Sequence, residues 1–517
     1  MKKLILLFDT VKYLKLKQIY FRLYYFVRAR YRKASGFKYE LLKGSNSTTL
    51  KLSASIENKY SNVEDSEFGF LNLSKKFDNN IDWNYNKYGK LWTYNLTYFE
   101  YLKEKEDLEL IHNFIKNIEN IKDGLEPFPI SLRGLSWIKF LIKYEIVDQK
   151  IDNSLYAQYY ILLDNLEYHL LGNHLLENGF SLLFGAYYFR DEKLYIKAKE
   201  ILQEELEEQT LEDGGHFELS PMYHQIMLFR VLDCINLVSN NSWKSTEILE
   251  LLNNKAKLML GWLKNMTYSN GDIPLLNDSA NHITPTSSEL FEYAKSLKVE
   301  IKDLILEQSG YRKIIKNNYE CIVDIGNIEA CYIPGHVHAD TFNFELRIDG
   351  KPFIVDSGLS TYETNITRYY ERSTKAHNTV EVLGKNSSEV WGGFRVADRA
   401  KVINIEEKDD FIKAIHNGYK KYDILHTRSW EFKDNKIIIK DNLNKEANAV
   451  FRLHFHPDII EDEIRDRIII FNLTFKIKNY QYAEEFNKAE QALSLEIEFK
   501  RDLKVEILIN GEMKIEN

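Results

Sequence analysis

The apolar pattern of this chain changes period near residue 305, and that switch limits its fold more than any other feature. From about Glu64 to Lys298 apolar residues recur at i, i+3, i+4 and i+7, as in Leu155–Leu171, Phe180–Phe189, Leu194–Leu211 and Met222–Val238. A helix returns a side chain to one face at that spacing, so each stretch carries an apolar stripe to bury. Short polar breaks such as Glu212–Gly215 and Ser239–Trp243 make successive helices antiparallel neighbours, in a bundle, a solenoid or a closed toroid. Past Gly310 the period becomes two: Phe344-Leu346-Ile348 and Phe353-Val355 flank Asp349-Gly350, which predicts a tight hairpin. Alternating runs at Lys401–Ile405, Phe411–Ile415, Arg428–Phe432, Lys436–Lys440, Val450–His454, Ile468–Ile477, Leu495–Phe499 and Val505–Ile509 predict a large antiparallel β-sandwich. The 517 residues thus divide into a basic amphipathic segment over 1–60, a helical domain over 61–304 and a sandwich over 305–517. A chain of that length exceeds one ordinary core.

Charge is uneven. Residues 1–33 hold ten Lys or Arg against the single Asp9, leaving −17 for the remainder of a chain whose total is −8. A basic opening rich in Tyr, Phe and Leu fits either an anionic membrane surface or a docked helix covering the toroid. The apolar run Leu4–Phe8 is cut off by Asp9 and no small-residue cleavage site follows, so it is not a convincing signal peptide. No stretch reaches the ~18 apolar residues of a membrane span, and the expected location is cytoplasmic or peripheral at the membrane. Cys234, Cys321 and Cys331 form no CxxC pair, and three buried small hydrophobes are expected rather than a disulfide framework. Outside the opening there is no basic stripe with interleaved aromatics and no glycine-rich phosphate loop, which excludes a nucleic-acid role.

Three windows carry chemistry. In Gly335-His336-Val337-His338-Ala339-Asp340 the two histidines alternate at strand spacing and face one side. Asp356 lies across the predicted hairpin, and Ala376-His377-Asn378-Thr379 follows. His338, Asp356 and His377 make a two-imidazole, one-carboxylate set suited to Zn²⁺, or a hydrogen-bonded core cluster without metal. In Asn173-His174-x-x-Glu177 the histidine and glutamate share a helical face; capping and surface pairing would explain the same residues. In Asp213-Gly214-Gly215 through Ser220-Pro221-Met222-Tyr223-His224, Ser-Pro opens a helix and sets Tyr223 in its first turn.

These windows resemble the heparinase II/III-like polysaccharide lyases, with similarity also to oligoalginate lyases. The likeness is most specific from His336-x-His338-x-Asp340 to Ala376-His377-Asn378-Thr379-Val380, and extends to Trp92-Thr93-Tyr94-Asn95-Leu96 and Ser131-Leu132-Arg133 through Trp137. It implies an incomplete (α/α) toroid followed by an antiparallel β-sandwich, and cleavage of a uronic-acid polysaccharide by β-elimination. It implies that Asn173 and His174 neutralise the uronate carboxylate, with Glu177 fixing the imidazole. Tyr223 would donate the proton to O4 and could act as base as well, His336 would be a second base or a carboxylate partner, and a further tyrosine would come from Tyr362, Tyr369 or Tyr370, with Tyr369 favoured. Glu177, Tyr94, Asn95, Arg133, Trp137 and Arg372 would contact substrate, and a structural zinc would sit on His338, Asp356 and His377. A tyrosine is a poor base at its ordinary pKa of ~10, so cationic neighbours such as His336, His174 or Arg372 are expected to lower that of Tyr223.

Two other readings compete. An inverting glycoside hydrolase on a helical toroid would need two carboxylates, drawn from Glu177, Asp213 and Asp278. A non-catalytic glycan-binding protein of acidic exopolysaccharide assembly would fit the basic opening. Trp92, Tyr94, Trp137 and Trp391 could stack on sugars or pack in the core.

Overall fold

The computed structural model describes residues 2–39, 47–78, 80–244 and 246–510. Its helical part runs through Lys90–Tyr98, Leu108–Asn117, Pro127–Lys143, Gln149–Asp164, Gly172–Phe189, Glu192–Gln209, Pro221–Asn240, Glu247–Met266 and Ser287–Ser296. Side-chain caps start several of them: Asp148 accepts from the backbone N–H of Lys150 and Ile151, and Asp191 from those of Lys193 and Leu194. The helices pack in antiparallel order into an incomplete (α/α) toroid. Gly172–Phe189 is its centre, touching Pro127–Lys143, Glu192–Gln209 and Pro221–Asn240. Every residue of this helix is buried except His174, as expected of a helix that is apolar all round.

The expected helical stretch Leu155–Leu171 stops at Asp164, with Asn165 as its C-cap, and Leu171 and Gly172, both at positive φ, lead the chain into the next helix. Asn62–Glu64, Glu67–Phe70 and Leu73–Lys76 form a three-stranded sheet where helix was expected. Asp65-Ser66 and Leu71-Asn72 link its strands with two left-handed residues each, the backbone of a type I′ hairpin without its usual glycine.

The first sandwich strand is Tyr311–Lys316. With Tyr319–Asp324, Phe344–Ile348 and Lys351–Ile354 it makes an antiparallel meander, turning at Asp349-Gly350 as the sequence predicts. A six-stranded sheet runs Val402–Lys408, Phe411–His416, His426–Lys433, Lys436–Leu443, Asp502–Leu508, Ile468–Ile470. A four-stranded one runs Phe475–Glu485, Lys488–Phe499, Ala449–His454, Val380–Val382. Alternate residues of His426–Lys433 turn inward, and their Trp430 and Phe432 join Ile439, Phe451 and Val505 in one core. The single expected strand over Ile468–Ile477 is two, broken at Asn472, whose φ is positive. Arg428 crosses this core, paired with Asp441 and donating to the carbonyls of Phe342 and Asn378. It thereby fixes the loop that carries His377.

Cys234 and Cys321 are buried, but Cys331 is exposed, against expectation. The opening helices Lys2–Val11 and Leu16–Ser35 lie on the body of the protein. Gln18, Tyr25 and Arg28 donate to the carbonyls of Leu170, Leu166 and Asp164, and Phe21 stacks on Tyr168. Among the described residues no helix is long and apolar enough to cross a membrane.

Candidate active site

The three windows meet where the toroid faces the sandwich. Ser220 caps its helix by accepting from the Tyr223 N–H at 3.2 Å, with Pro221 in the first position. This turn aims the Tyr223 ring at the segment between the first two hairpins of the sandwich. There it packs on the His336 ring, centroids 3.9 Å apart, and its hydroxyl meets that of Tyr362 at 3.1 Å.

His336 is held from behind. Its Nδ1 lies 2.9 Å from Asp278 Oδ2, and His338 Nε2 lies 2.7 Å from Oδ1 of the same carboxylate. Arg368 closes on both oxygens at 2.5 and 2.7 Å, a bidentate pair. Burial alone would push the Asp278 carboxyl up, but Arg368 and the two imidazoles hold it well below the usual carboxylate range. Asp278 therefore stays ionised, and His336 Nδ1 keeps its proton toward it. That leaves Nε2 as the free acceptor of a neutral ring; burial, outweighing Asp278, lowers the His336 pKa.

Tyr223 departs from expectation. Burial drives its pKa far above the ordinary value, with Asp278 and Glu218 adding to the effect against Tyr362 and Arg368. The cation that opposes this is Arg368, not the expected His336, His174 or Arg372, and its charge is paired with Asp278. The hydroxyl therefore stays protonated.

On the toroid side, Asn173 lines the cleft with its Oδ1 buried and unpartnered. His174 sits half-buried against Phe128, centroids 4.9 Å apart. Its Nδ1 meets Glu167 Oε1 at 3.1 Å, so Glu167, not Glu177, fixes the imidazole. Asn178 secures Glu167 by donating to Oε2 at 3.0 Å and accepting from its backbone N–H at 2.9 Å. Burial opposes charge on His174, but Glu167 outweighs it and the pKa rises. Glu177 instead pairs with Arg230, Nε to Oε1 at 3.1 Å.

Several expected substrate contacts lie elsewhere. Trp137 is wholly core, with Trp92. Arg133 is buried and donates to Gln158 and to the carbonyls of Thr97 and Gly124. Arg372 is buried on the carbonyls of Val337 and Gly393, and Arg368, one turn earlier, is buried on Asp278. Tyr369 is exposed, whereas Tyr362 reaches Tyr223. Tyr94 bonds Glu126, and Asn95 does line the cleft. Trp391 donates to Thr10 of the opening helix. The signals for Tyr362 and Arg368 lay in the aromatic and basic residues of 362–372; nothing in the spacing marked Glu167.

His338, Asp356 and His377 are drawn together. The two imidazole centroids are 5.2 Å apart, and His377 Nδ1 lies 2.8 Å from Asp356 Oδ2. His338 Nδ1 and His377 Nε2 are buried with no hydrogen-bond partner. Two imidazoles and a carboxylate are a zinc donor set, and the two orphaned nitrogens fit a missing charge. Among the described residues, however, no three His, Cys, Asp or Glu donors close on one point.

A toroid-plus-sandwich protein with an Asn, His and Tyr cluster at the junction is thereby defined. The chain belongs to the heparinase II/III-like family: residues 149–299 match the family's N-terminal pattern, described as Heparinase II/III N-terminus. Residues 303–503 match the pattern described as Heparinase II/III-like, C-terminal. It is 23% identical over 317 residues to a heparin-sulfate lyase of Bacteroides stercoris, spanning 56% of this chain and 46% of the relative. A heparin-sulfate lyase of Bacteroides thetaiotaomicron is 25% identical over 304 residues, 50% of this chain and 41% of the relative. The matches thus span under half the length of these curated relatives. Among solved structures, heparinase III aligns with TM-score 0.66 at 17% identity, over 86% of this chain and 81% of that one. A heparan sulfate lyase from Pedobacter heparinus aligns with TM-score 0.52 at 14% identity, over 84% and 79%.

Proposed function

We propose that this protein is a polysaccharide lyase cleaving an acidic, uronate-containing polysaccharide by β-elimination. The observation that carries the reading is the position of Tyr223, between the free side of His336 and the Tyr362 hydroxyl, at the end of a cleft that also exposes Asn173. The C5 proton of a uronate is too weakly acidic to remove while the adjacent carboxylate keeps its full charge, so the site must stabilise the developing dianion. Asn173 and protonated His174 supply that stabilisation. The His336 Nε2 lone pair takes the C5 proton, the electron pair forms the C4–C5 double bond, and the C4–O4 bond breaks as Tyr223 delivers its proton to O4. Proton return from His336 to the stacked tyrosinate resets the site. The hydrolase reading loses its carboxylates: Asp278 is consumed by Arg368, Glu177 by Arg230, and Asp213 by Ser309 and the Glu307 N–H. Ultraviolet absorbance during incubation with a panel of uronate polysaccharides tests this. Growth of the unsaturated-uronate band is expected; chain shortening without the band would replace the lyase by a hydrolase.

We also propose a structural zinc on His338, Asp356 and His377, supported by the two orphaned ring nitrogens. When bound, the ion would supply a fixed positive charge that ties the first sandwich hairpins to the His377 loop. Metal analysis of the purified protein checks this; a protein free of zinc with unchanged unfolding temperature after chelation would reject it.

We infer, further, a peripheral location on an anionic membrane surface. The docked stripe Gln18, Phe21, Tyr25, Arg28 leaves the opposite face of its helix free, with Ile19, Tyr20, Leu23, Phe26, Val27 and Tyr31 exposed. Leu4, Ile5, Leu7 and Phe8 of the first helix are exposed as well. An apolar face flanked by a local charge of +9 complements an acidic lipid surface. Sedimentation with phosphatidylglycerol vesicles is expected, and loss of it in Leu23→Asp/Val27→Asp. No sedimentation, with dimers in light scattering, would assign the face to a second copy.

A further inference from the structure

The opening helices reach both halves of the site from behind. On the toroid side, one row of Leu16–Ser35 serves the turn that leads into Asn173 and His174. Gln18 donates to the Leu170 carbonyl at 2.8 Å, Arg22 to His169 at 3.1 Å, Tyr25 to Leu166 at 2.5 Å and Arg28 to Asp164 at 2.6 Å. Steps of four and three residues put these side chains on one helical face. Among the carbonyls they hold stands Glu167, the partner of His174. Between the two helices, Lys15 pairs with Glu208 of the toroid and lies 4.1 Å over the ring of Tyr332, which belongs to the sandwich part of the chain.

On the sandwich side the contact is with the hairpin of Val390–Trp391 and Arg395–Val396. Among the described residues its two short strands join no other sheet. A lone hairpin is marginal by itself, so its position comes from what it packs against. At its base Trp391 Nε1 donates to Thr10 Oγ1 at 3.0 Å, and Arg399 lies 3.7 Å over the Tyr13 ring. At its tip the Gly393 carbonyl accepts from Arg368 Nε at 3.1 Å and from Arg372 Nη1 at 3.0 Å. Phe394 beside it packs against His336 and Tyr362, centroids 6.1 and 5.3 Å away. We propose that the opening helices are a positioning element of the active site. Thr10 acts through Trp391 on His336 and Arg368, and Gln18 and Tyr25 act through the turn before Asn173 on Glu167 and His174. None of these three lines the cleft. The inference rests on the lyase reading and goes beyond it, since the opening lies outside the residues matched to the family, 149–299 and 303–503.

Variants of the full chain test the two arms separately. Thr10→Val removes the acceptor of Trp391 and is expected to lower kcat for unsaturated-uronate formation by about tenfold, since a displacement of about 1 Å at reacting groups costs up to ~100-fold. KM and the unfolding temperature should stay in place, and Thr10→Ser, which keeps the acceptor, should restore the wild-type kcat. Gln18→Met/Tyr25→Phe frees the turn on the other side. Burial opposes charge on His174, and Glu167 with Glu177 outweighs it, so loosening Glu167 should lower the His174 pKa and move the alkaline limb of the pH profile to lower pH. Titration of the His174 imidazole by NMR in the ligand-free protein reads this without turnover. A lowered value in Gln18→Met/Tyr25→Phe, and an unmoved one in Thr10→Val, supports the positioning role even where wild-type protein forms no unsaturated product and the lyase reading falls. An unmoved His174 titration in the double variant overturns the proposal, as does an unchanged kcat in Thr10→Val where the wild type turns over. Equal losses in Thr10→Val and Thr10→Ser, tracking a lower unfolding temperature, also overturn it, because the helices would then serve stability alone.

Discussion

The two sides of the site are built to opposite rules. On the toroid side, Asn173 and His174 stand at the start of an otherwise buried helix with capacity to spare: one amide oxygen has no partner, and one imidazole reaches solvent. Facing it, Asp278, from the toroid loop ahead of Ser287–Ser296, gathers His336, His338 and Arg368 of the sandwich into a buried set in which the Asp278 oxygens have no free capacity. Unsatisfied polar groups at a cleft are available to a ligand, whereas a satisfied buried network fixes geometry. On the proposed lyase reading, the difference assigns recognition of the carboxylate to Asn173 and His174 and placement of the reacting groups to the network around Asp278.

Perturbations should separate along that line. Tyr223→Phe, which deletes the acid where both sides meet, should lower turnover by about 10²–10⁴-fold without moving the unfolding temperature; kinetics and calorimetry together check it. Asp278→Asn should cost about 3–5 kcal/mol of stability, because it leaves Arg368 buried beside an uncompensating amide. Denaturant unfolding reads this out, and loss of activity without loss of stability would break the distinction between the two sides. Asn173→Ala should leave stability nearly unchanged and reduce turnover by about 10–100-fold, the scale of one lost stabilising donor.

Smaller effects sharpen the contrast. The raised pKa of His174 keeps its imidazolium beyond the ordinary ~6.5, so turnover should persist above that value and fall as pH rises through the folded-state pKa. The same sign applies to stability. The His174–Glu167 contribution is fully present below the unfolded pKa and lost as pH rises through the folded one. Glu167→Gln should move the alkaline limb of the profile to lower pH, and Glu177→Gln should move it the same way by less. Tyr369→Phe should change neither rate nor stability, its ring being exposed and apart from Tyr223.

Much of this was legible in the sequence, and the failures have physical causes. The change of period separated the helical region from the sandwich, the family resemblance implied that the helices form a toroid, Asp349-Gly350 turns as its composition requires, and Ser220-Pro221 sets Tyr223 in a first helical turn. Helical spacing paired His174 with Glu177, but the left-handed turn at Leu171 and Gly172 brings Glu167 back against the imidazole instead. Spacing did not separate Tyr362 from Tyr369 and Tyr370, and did not mark Arg368 beside Arg372, because the helix Ile366–Glu371 is too short to show which face is buried. Asp278 was legible only as a stray carboxylate; its role depends on two histidines some 60 residues away, 2.9 and 2.7 Å from its oxygens, a contact local pattern cannot carry.

The most direct test of the central claim is the mass balance of the cleavage products from a defined uronate oligosaccharide. Elimination by Tyr223 and His336 consumes no water, so the fragment masses should sum to that of the substrate, and Tyr223→Phe should give no fragments. Fragments whose masses sum to the substrate plus one water would contradict the account and make the protein a hydrolase.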